Sequence, residues 1–172
     1  ADLSLIASEA NIPVLLTSNV NNTSSLEWFS SLKPDIIFCF GWSHLIKHQL
    51  LAIPPMGIVG YHPTVLPANR GRHPLIWSLV LGLTETGSTF FFMDEGADSG
   101  DILSQKVVSI GSDDDASTIY DKITKVALLQ LCEFLPQLID GTYRRTPQDH
   151  AESNYWRKRR MPDGLIDWRM AA

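Results

Sequence analysis

Apolar residues recur every three or four positions over residues 3–10, and the run IPVLL (12–16) follows before the polar stretch TSNVNNTSS. The first pattern predicts a helix and the second a short buried strand. A second helix is expected over about 25–32, ended by Lys33-Pro34, because the residue before a proline is pushed out of helical space. DIIFCF (35–40) is an unbroken apolar run of strand length, as in a strand covered on both faces. Residues 43–53 have helical spacing behind an N-cap serine, Pro54-Pro55 closes that helix, and 56–61 predicts the next strand. This alternation predicts an α/β fold, a Rossmann-like, open, mostly parallel sheet flanked by helices. In such sheets ligands bind beyond the carboxyl ends of the strands.

Further along, Pro74 suits the first position of a helix running to Gly82. Residues 88–93 and 101–108 predict two strands joined by an acidic, glycine-bearing loop. From about 116 to 140, Ile119, Ile123, Val126, Ala127, Leu131, Phe134, Leu135 and Leu138 keep the spacing of a long amphipathic helix. The acidic Asp113, Asp114 and Asp115 match the positive end of its dipole, Pro136 predicts a kink and Gly141 a C-terminal cap. The tail is mixed and turn-rich, with a hairpin expected at Pro162-Asp163-Gly164.

At 172 residues and 44% hydrophobic, one domain is expected, with a sheet core over 1–110 and the long helix and tail over 111–172. A net charge of −5 argues against broad binding to nucleic acid and favours small-molecule partners, although Arg157, Lys158, Arg159 and Arg160 form a local basic run. No apolar run approaches the roughly 20 residues of a membrane span, so no membrane partner is expected. Cys39 and Cys132 lie in apolar runs without metal-like spacing, which suits small buried hydrophobes and a reducing cytoplasm. No metal is expected: His62 with His73 has no supporting pattern, and His44 with His48 has helical ligand spacing but lacks the accompanying Glu.

Two residues stand out chemically. His62 follows an apolar strand directly, so its imidazole belongs at the binding edge, unless it only completes a strand end. Asp98 lies between Gly96 and Gly100 in the acidic loop, where a backbone can pass close to a ligand, though acidic turns are also common without function. If the two converge, the carboxylate favours imidazolium, and the pair can shuttle a proton in acyl transfer. No dinucleotide-binding, P-loop or serine-hydrolase motif accompanies them.

The segments HPTVLPANRG and TGSTFFFMDEGADSGDIL, with DGLIDW further on, resemble the signatures of formyltransferases that use N10-formyltetrahydrofolate. This family acts on glycinamide ribonucleotide, methionyl-tRNA or amino sugars. The resemblance implies that His62 and Asp98 are the catalytic pair. It assigns Ser43, His44, Leu45 and Ile46, with Asp94, Glu95, Gly96 and Ala97, to the two segments that hold the pterin of the folate. Where the family carries a catalytic Asn two positions before the His, this chain has Gly60, and Asn69 or a loop backbone N–H is the candidate replacement in the oxyanion hole. The family also opens with a strand–turn–helix unit of about 30 residues that this sequence does not include, so a truncated catalytic domain is expected.

The expected reaction moves a formyl group from N10-formyltetrahydrofolate to the primary amine of an amino sugar carried by a nucleotide. The sugar branch is preferred because little chain follows DGLIDW. Arg70 or Arg72 is the candidate for a phosphate of that substrate, with a loop-anchoring role the alternative, while Trp77 reads as core rather than as a ligand platform. A methionyl-tRNA formyltransferase, with tRNA as the one nucleic-acid partner, and an inactive folate-binding remnant are the rival readings. A homodimer is left open.

Overall fold

The computed structural model describes residues 3–42, 44–166 and 168–169. Four strands form the main sheet in the order β1–β2–β4–β5: β1 (Ile37–Cys39), β2 (Ile58–His62), β4 (Glu85–Phe92) and β5 (Ile102–Ser109). β3 (Arg70–Gly71) and β6 (Tyr155–Trp156) form a separate parallel pair, two residues long. The helices are α1 (Ser4–Glu9), α2 (Thr23–Leu32), α3 (His48–Leu51), α4 (Pro74–Val80) and α5 (Ala116–Asp140).

The expected flanked sheet is present, but its pairing differs from the mostly parallel expectation. Within the main sheet β1 and β2 run parallel, whereas β2–β4 and β4–β5 are antiparallel. The reason lies in the connection after β2. A parallel crossover must carry the chain back along the sheet, and α4 has seven residues, only about 10 Å of helix. The chain therefore enters β4 at the end where β2 finished, with His62 opposite Thr89 and Val59 opposite Phe92.

The side-chain alternation of β2 divides the core. Val59 packs with Phe90, Phe92, Phe134 and Leu138 against α5, whereas Ile58 packs with Ile46, Leu50, Leu26 and Phe29 against α2 and α3. Gly60 and His62 share the face of Ile58. A further cluster joins Leu75 of α4 and Val108 of β5 to Ile119 and Ile123 of α5.

Local chemistry explains which elements form. α5 has the expected limits because Asp115 accepts from Thr118 N while the Thr118 hydroxyl accepts from Asp115 N, and Gly141 closes the helix at φ +69°. α2 starts at an Asn22 cap. Helix 43–53 is shorter than expected: only His48–Leu51 is helical, and the N-cap there is Lys47, whose N–H donates to Asn21. Ser43, the expected cap, lies outside the described residues.

Residues 12–16 form no strand and pair with no neighbour among the described residues; Leu16 is 84% exposed. An apolar run becomes a buried strand only when a neighbouring strand takes its hydrogen bonds. The hairpin expected at Pro162-Asp163-Gly164 is instead a 3-10 turn, Met161–Gly164, in which Asp163 accepts from Arg160 N and pairs with Arg157. That guanidinium holds the Asp163 carboxyl well below the usual carboxylate range.

The two thiols differ. Cys39 packs beside the Ile46–Leu50–Ile58 cluster, and burial pushes its thiol up to about 11. Cys132 is exposed, contrary to the expectation, because it points away from the face of α5 that buries Gln130 and Phe134. Iodoacetamide at pH 8 is expected to label Cys132 and spare Cys39 in the folded protein. Peptide mass mapping showing equal labelling of both would contradict the burial of Cys39.

No described helix is long and apolar enough to cross a membrane.

Candidate active site

His62 ends β2 and is 4% exposed. Its Nε2 lies 2.8 Å from the carbonyl oxygen of Asn69. A carbonyl only accepts, so Nε2 carries a proton and Nδ1 is the ring position left to exchange one. Nδ1 stands 3.6 Å from Asp98 Oδ2. That separation is an ion-pair distance slightly beyond a hydrogen bond.

Asp98 reaches this point by an indirect route. β4 runs antiparallel to β2, so the loop leaving Phe92 starts at the end of the sheet away from His62. The loop folds back over the Ile58 side, and two close approaches permit it. A Cβ on Gly100 would lie 1.8 Å from the Phe92 carbonyl oxygen, so only glycine passes there. Asp98 itself adopts φ +55°, an uncommon left-handed conformation for a residue with a side chain. Its carboxylate then accepts from Gly71 N at 2.9 Å.

Ile46 of the first segment assigned to the pterin belongs to the cluster against which Met93, the residue before the second segment, packs. The His44 ring lies tilted against Trp42, with centroids 5.5 Å apart, Leu45 is exposed, and Ile46 is buried in the core below. Opposite them, Asp94 Oδ1 accepts from Gly96 N and from Ser99 Oγ, which shapes the turn carrying Glu95 and Ala97. Glu95 pairs at 3.5 Å with His48 of α3, two residues beyond the first segment. The indole N–H of Trp42, just before the first segment, is buried with no partner among the described residues.

The other candidates are distributed as follows. Asn69 Oδ1 accepts from Asn154 Nδ2 and Asn69 N donates to Asn154 Oδ1, so this amide is tied to the segment before β6. A Cβ at Gly60 would meet Met93 Cγ at 3.0 Å and Phe91 Cζ at 3.1 Å, so methionine and phenylalanine fill the space beside this position. Arg70 is 2% exposed and directs its guanidinium inward to Gln148, Tyr155 and His150, the position of a loop anchor. Arg72 is exposed and is the member of the pair that a phosphate can reach. Arg157 and Arg159 lie 5.2 and 4.8 Å over the ring of Trp77, so the indole is faced by guanidinium groups as well as by its own helix.

The sequence reading did not find Gln148, Asn154 or Gly71, which surround the pair. Gln148 and Asn154 lie in a polar, non-periodic tail, and the only available signal was the glycine following Arg70.

The same fold occurs in solved structures. The formyltransferase PseJ from Anoxybacillus kamchatkensis, solved with UDP-4,6-dideoxy-4-formamido-L-AltNAc and tetrahydrofolate, superposes with a TM-score of 0.71 at 22% identity, over 90% of this chain and 79% of that one. An N-formyltransferase from Helicobacter canadensis, in complex with folinic acid and dTDP-3-aminofucose, gives 0.76 at 22% identity over 90% of this chain and 54% of the other. Methionyl-tRNA formyltransferase from Clostridium thermocellum gives 0.73 at 19% identity over 97% and 70%. The fold is thus the one these formyltransferase structures share. Residues 6–135 match the formyl transferase family, and the chain belongs to it.

Proposed function

We propose that this protein transfers the formyl group of N10-formyltetrahydrofolate to the primary amine of a nucleotide-linked amino sugar. The observation that carries the reading is the His62–Asp98 pair, with Nε2 pinned by Asn69 and Nδ1 facing the carboxylate. The folate supplies an activated formyl carbon. The two segments 44–46 and 95–97 are the proposed holders of its pterin: their irregular backbone offers donors and acceptors, and Leu45 offers an exposed apolar surface to a flat ring.

In the reaction the amine nitrogen bonds to the formyl carbon, and the carbonyl electron pair moves onto oxygen. Protonated His62 meets that oxyanion with Nδ1–H, a donor of a kind whose loss typically costs roughly 10²–10³ in rate. Asp98 accepts the proton shed by the amine and returns it to N10 as the carbon–N10 bond breaks, so the products are a formamide and tetrahydrofolate. Arg72 is the proposed contact to a substrate phosphate. Asn69 is the proposed second donor to the oxyanion, through its side-chain amide, in place of the family's Asn. Free thiols at Cys39 and Cys132 accord with work in the reducing cytoplasm.

The sugar reading is favoured over methionyl-tRNA by the state of the basic run. Arg157 is committed to Asp163 and, with Arg159, to Trp77, which leaves a reduced set of free cations for a polyanion. The test is incubation with N10-formyltetrahydrofolate and UDP- or dTDP-linked amino sugars, with product mass and tetrahydrofolate release as readouts. Formylation of an amino sugar supports the proposal. Turnover of methionyl-tRNA alone, or folate binding without transfer to any amine, overturns it.

A further inference from the structure

The loop that delivers Asp98 starts at the wrong end of the sheet and passes through a left-handed aspartate, so something must hold it folded back. The side chain that does so is Gln148, 6% exposed, from the polar segment after α5. Its Nε2 donates to the carbonyl oxygens of Asp98, at 3.0 Å, and Gly100, at 2.6 Å. Its Oε1 accepts from Arg70 Nε at 3.2 Å and from Nη2 at 2.7 Å. Arg70 in turn donates from Nη1 to the Tyr155 hydroxyl, 3.0 Å away, and Nη2 lies 3.1 Å from His150 Nδ1. The next residue, Gly71, donates its N–H to the Asp98 carboxylate. One dipeptide thereby holds Asp98 twice, at the carboxylate directly and at the main chain through Gln148.

We propose that Gln148, oriented by the buried guanidinium of Arg70, is the positioning residue that sets Asp98 against His62. The inference rests on the formyl-transfer reading for its kinetic consequence, but not for its geometry. The residue type follows from chemistry. Only a carboxamide both accepts from a guanidinium and donates to two carbonyls; a carboxylate of the same shape keeps the arginine and faces two oxygens with an oxygen. Besides Asp98 and His62, the titratable or charged groups in this network are Arg70, His150 and Tyr155, all on the far side of Gln148.

The experiment compares Gln148→Glu and Gln148→Met with Asp98→Asn, alone and combined. In each Gln148 variant kcat is expected to fall roughly 10–100-fold, as for other groups that orient a reacting side chain, with KM for both substrates within about twofold. Adding either change to Asp98→Asn should lower kcat no further, because Gln148 acts only through that carboxylate. The His62 ring titration, followed by NMR, should move in the same direction in the Gln148 variants as in Asp98→Asn, a readout that needs no turnover. Should Gln148→Met not fold, Gln148→Asn, with the same amide on a shorter stem, carries the same expectations.

A wild-type protein without formyl transfer whose His62 titration still responds to Gln148 refutes the functional reading and leaves the positioning role standing. An active enzyme whose kcat and His62 titration ignore Gln148→Glu, or one in which the effects of Gln148 and Asp98 simply add, refutes the positioning role.

Discussion

Replacing His62 by glutamine is expected to lower formyl transfer by roughly 10²–10⁴-fold while the protein stays folded and retains folate. A glutamine at this position places its amide nitrogen about where Nε2 now sits, so the buried site keeps a donor to the Asn69 carbonyl. What it loses is Nδ1, the one ring atom facing Asp98, and with it both the cationic donor for the oxyanion and the partner of the carboxylate. Steady-state kinetics measure the loss, folate fluorescence titration the retained binding, and a thermal melt the fold. A variant within about tenfold of wild type would remove His62 from the chemistry.

The largest effect on stability is expected from Phe90→Ala. Phe90 is 2% exposed and its ring centroid lies 4.8 Å from Tyr61, 4.9 Å from Phe134 and 5.7 Å from Phe40, so it joins β2 and β4 to α5. Truncating a buried phenylalanine costs about 3–5 kcal/mol, the sum of lost transfer energy and the cavity left behind. Each lost ring pair contributes about 0.5–1.5 kcal/mol beyond its area. For a domain of this size that is a fall in Tm of roughly 6–20 °C, readable by calorimetry. Tyr61 gives an independent check: burial pushes its phenol up to about 12 although the Ser88 hydroxyl lies 3.0 Å away. In Phe90→Ala that phenol should titrate at lower pH as water gains access. A loss under about 1 kcal/mol would mean that the cluster repacks around the gap.

Elements whose own residues determine them were legible in the sequence. α5 carries its apolar stripe, its capping box and its terminal glycine within one segment, and its limits agree with the expectation. The runs at 56–61 and 88–93 were likewise legible as strands and correspond to β2 and β4 with shifted limits, but their relative direction depends on how far α4 carries the chain, which periodicity does not encode. The run at 12–16 shows the same limit, since its pattern is that of a strand and its pairing depends on a neighbour. At the site, the strand end and the glycine-flanked loop marked His62 and Asp98. The tail residues that brace them were illegible, because Gln148 and Asn154 act on residues some fifty to eighty-five positions away. Nothing in TPQDHAESN distinguishes a clamp from a solvated loop.

The short pairing of β3 with β6 bears on the order of folding. Arg70 meets Tyr155, a partner 85 positions away, so the chain must close a very long loop before this contact stabilises anything. The main sheet and α5 can form from nearer neighbours while the bracing around Asp98 waits for the tail. On the ribosome, the His62–Asp98 pair acquires its alignment only after residue 156 has emerged. In hydrogen exchange, the amides of Arg70 and Arg72, which donate to the tail at Asn154 and Trp156, should open ahead of the central strands.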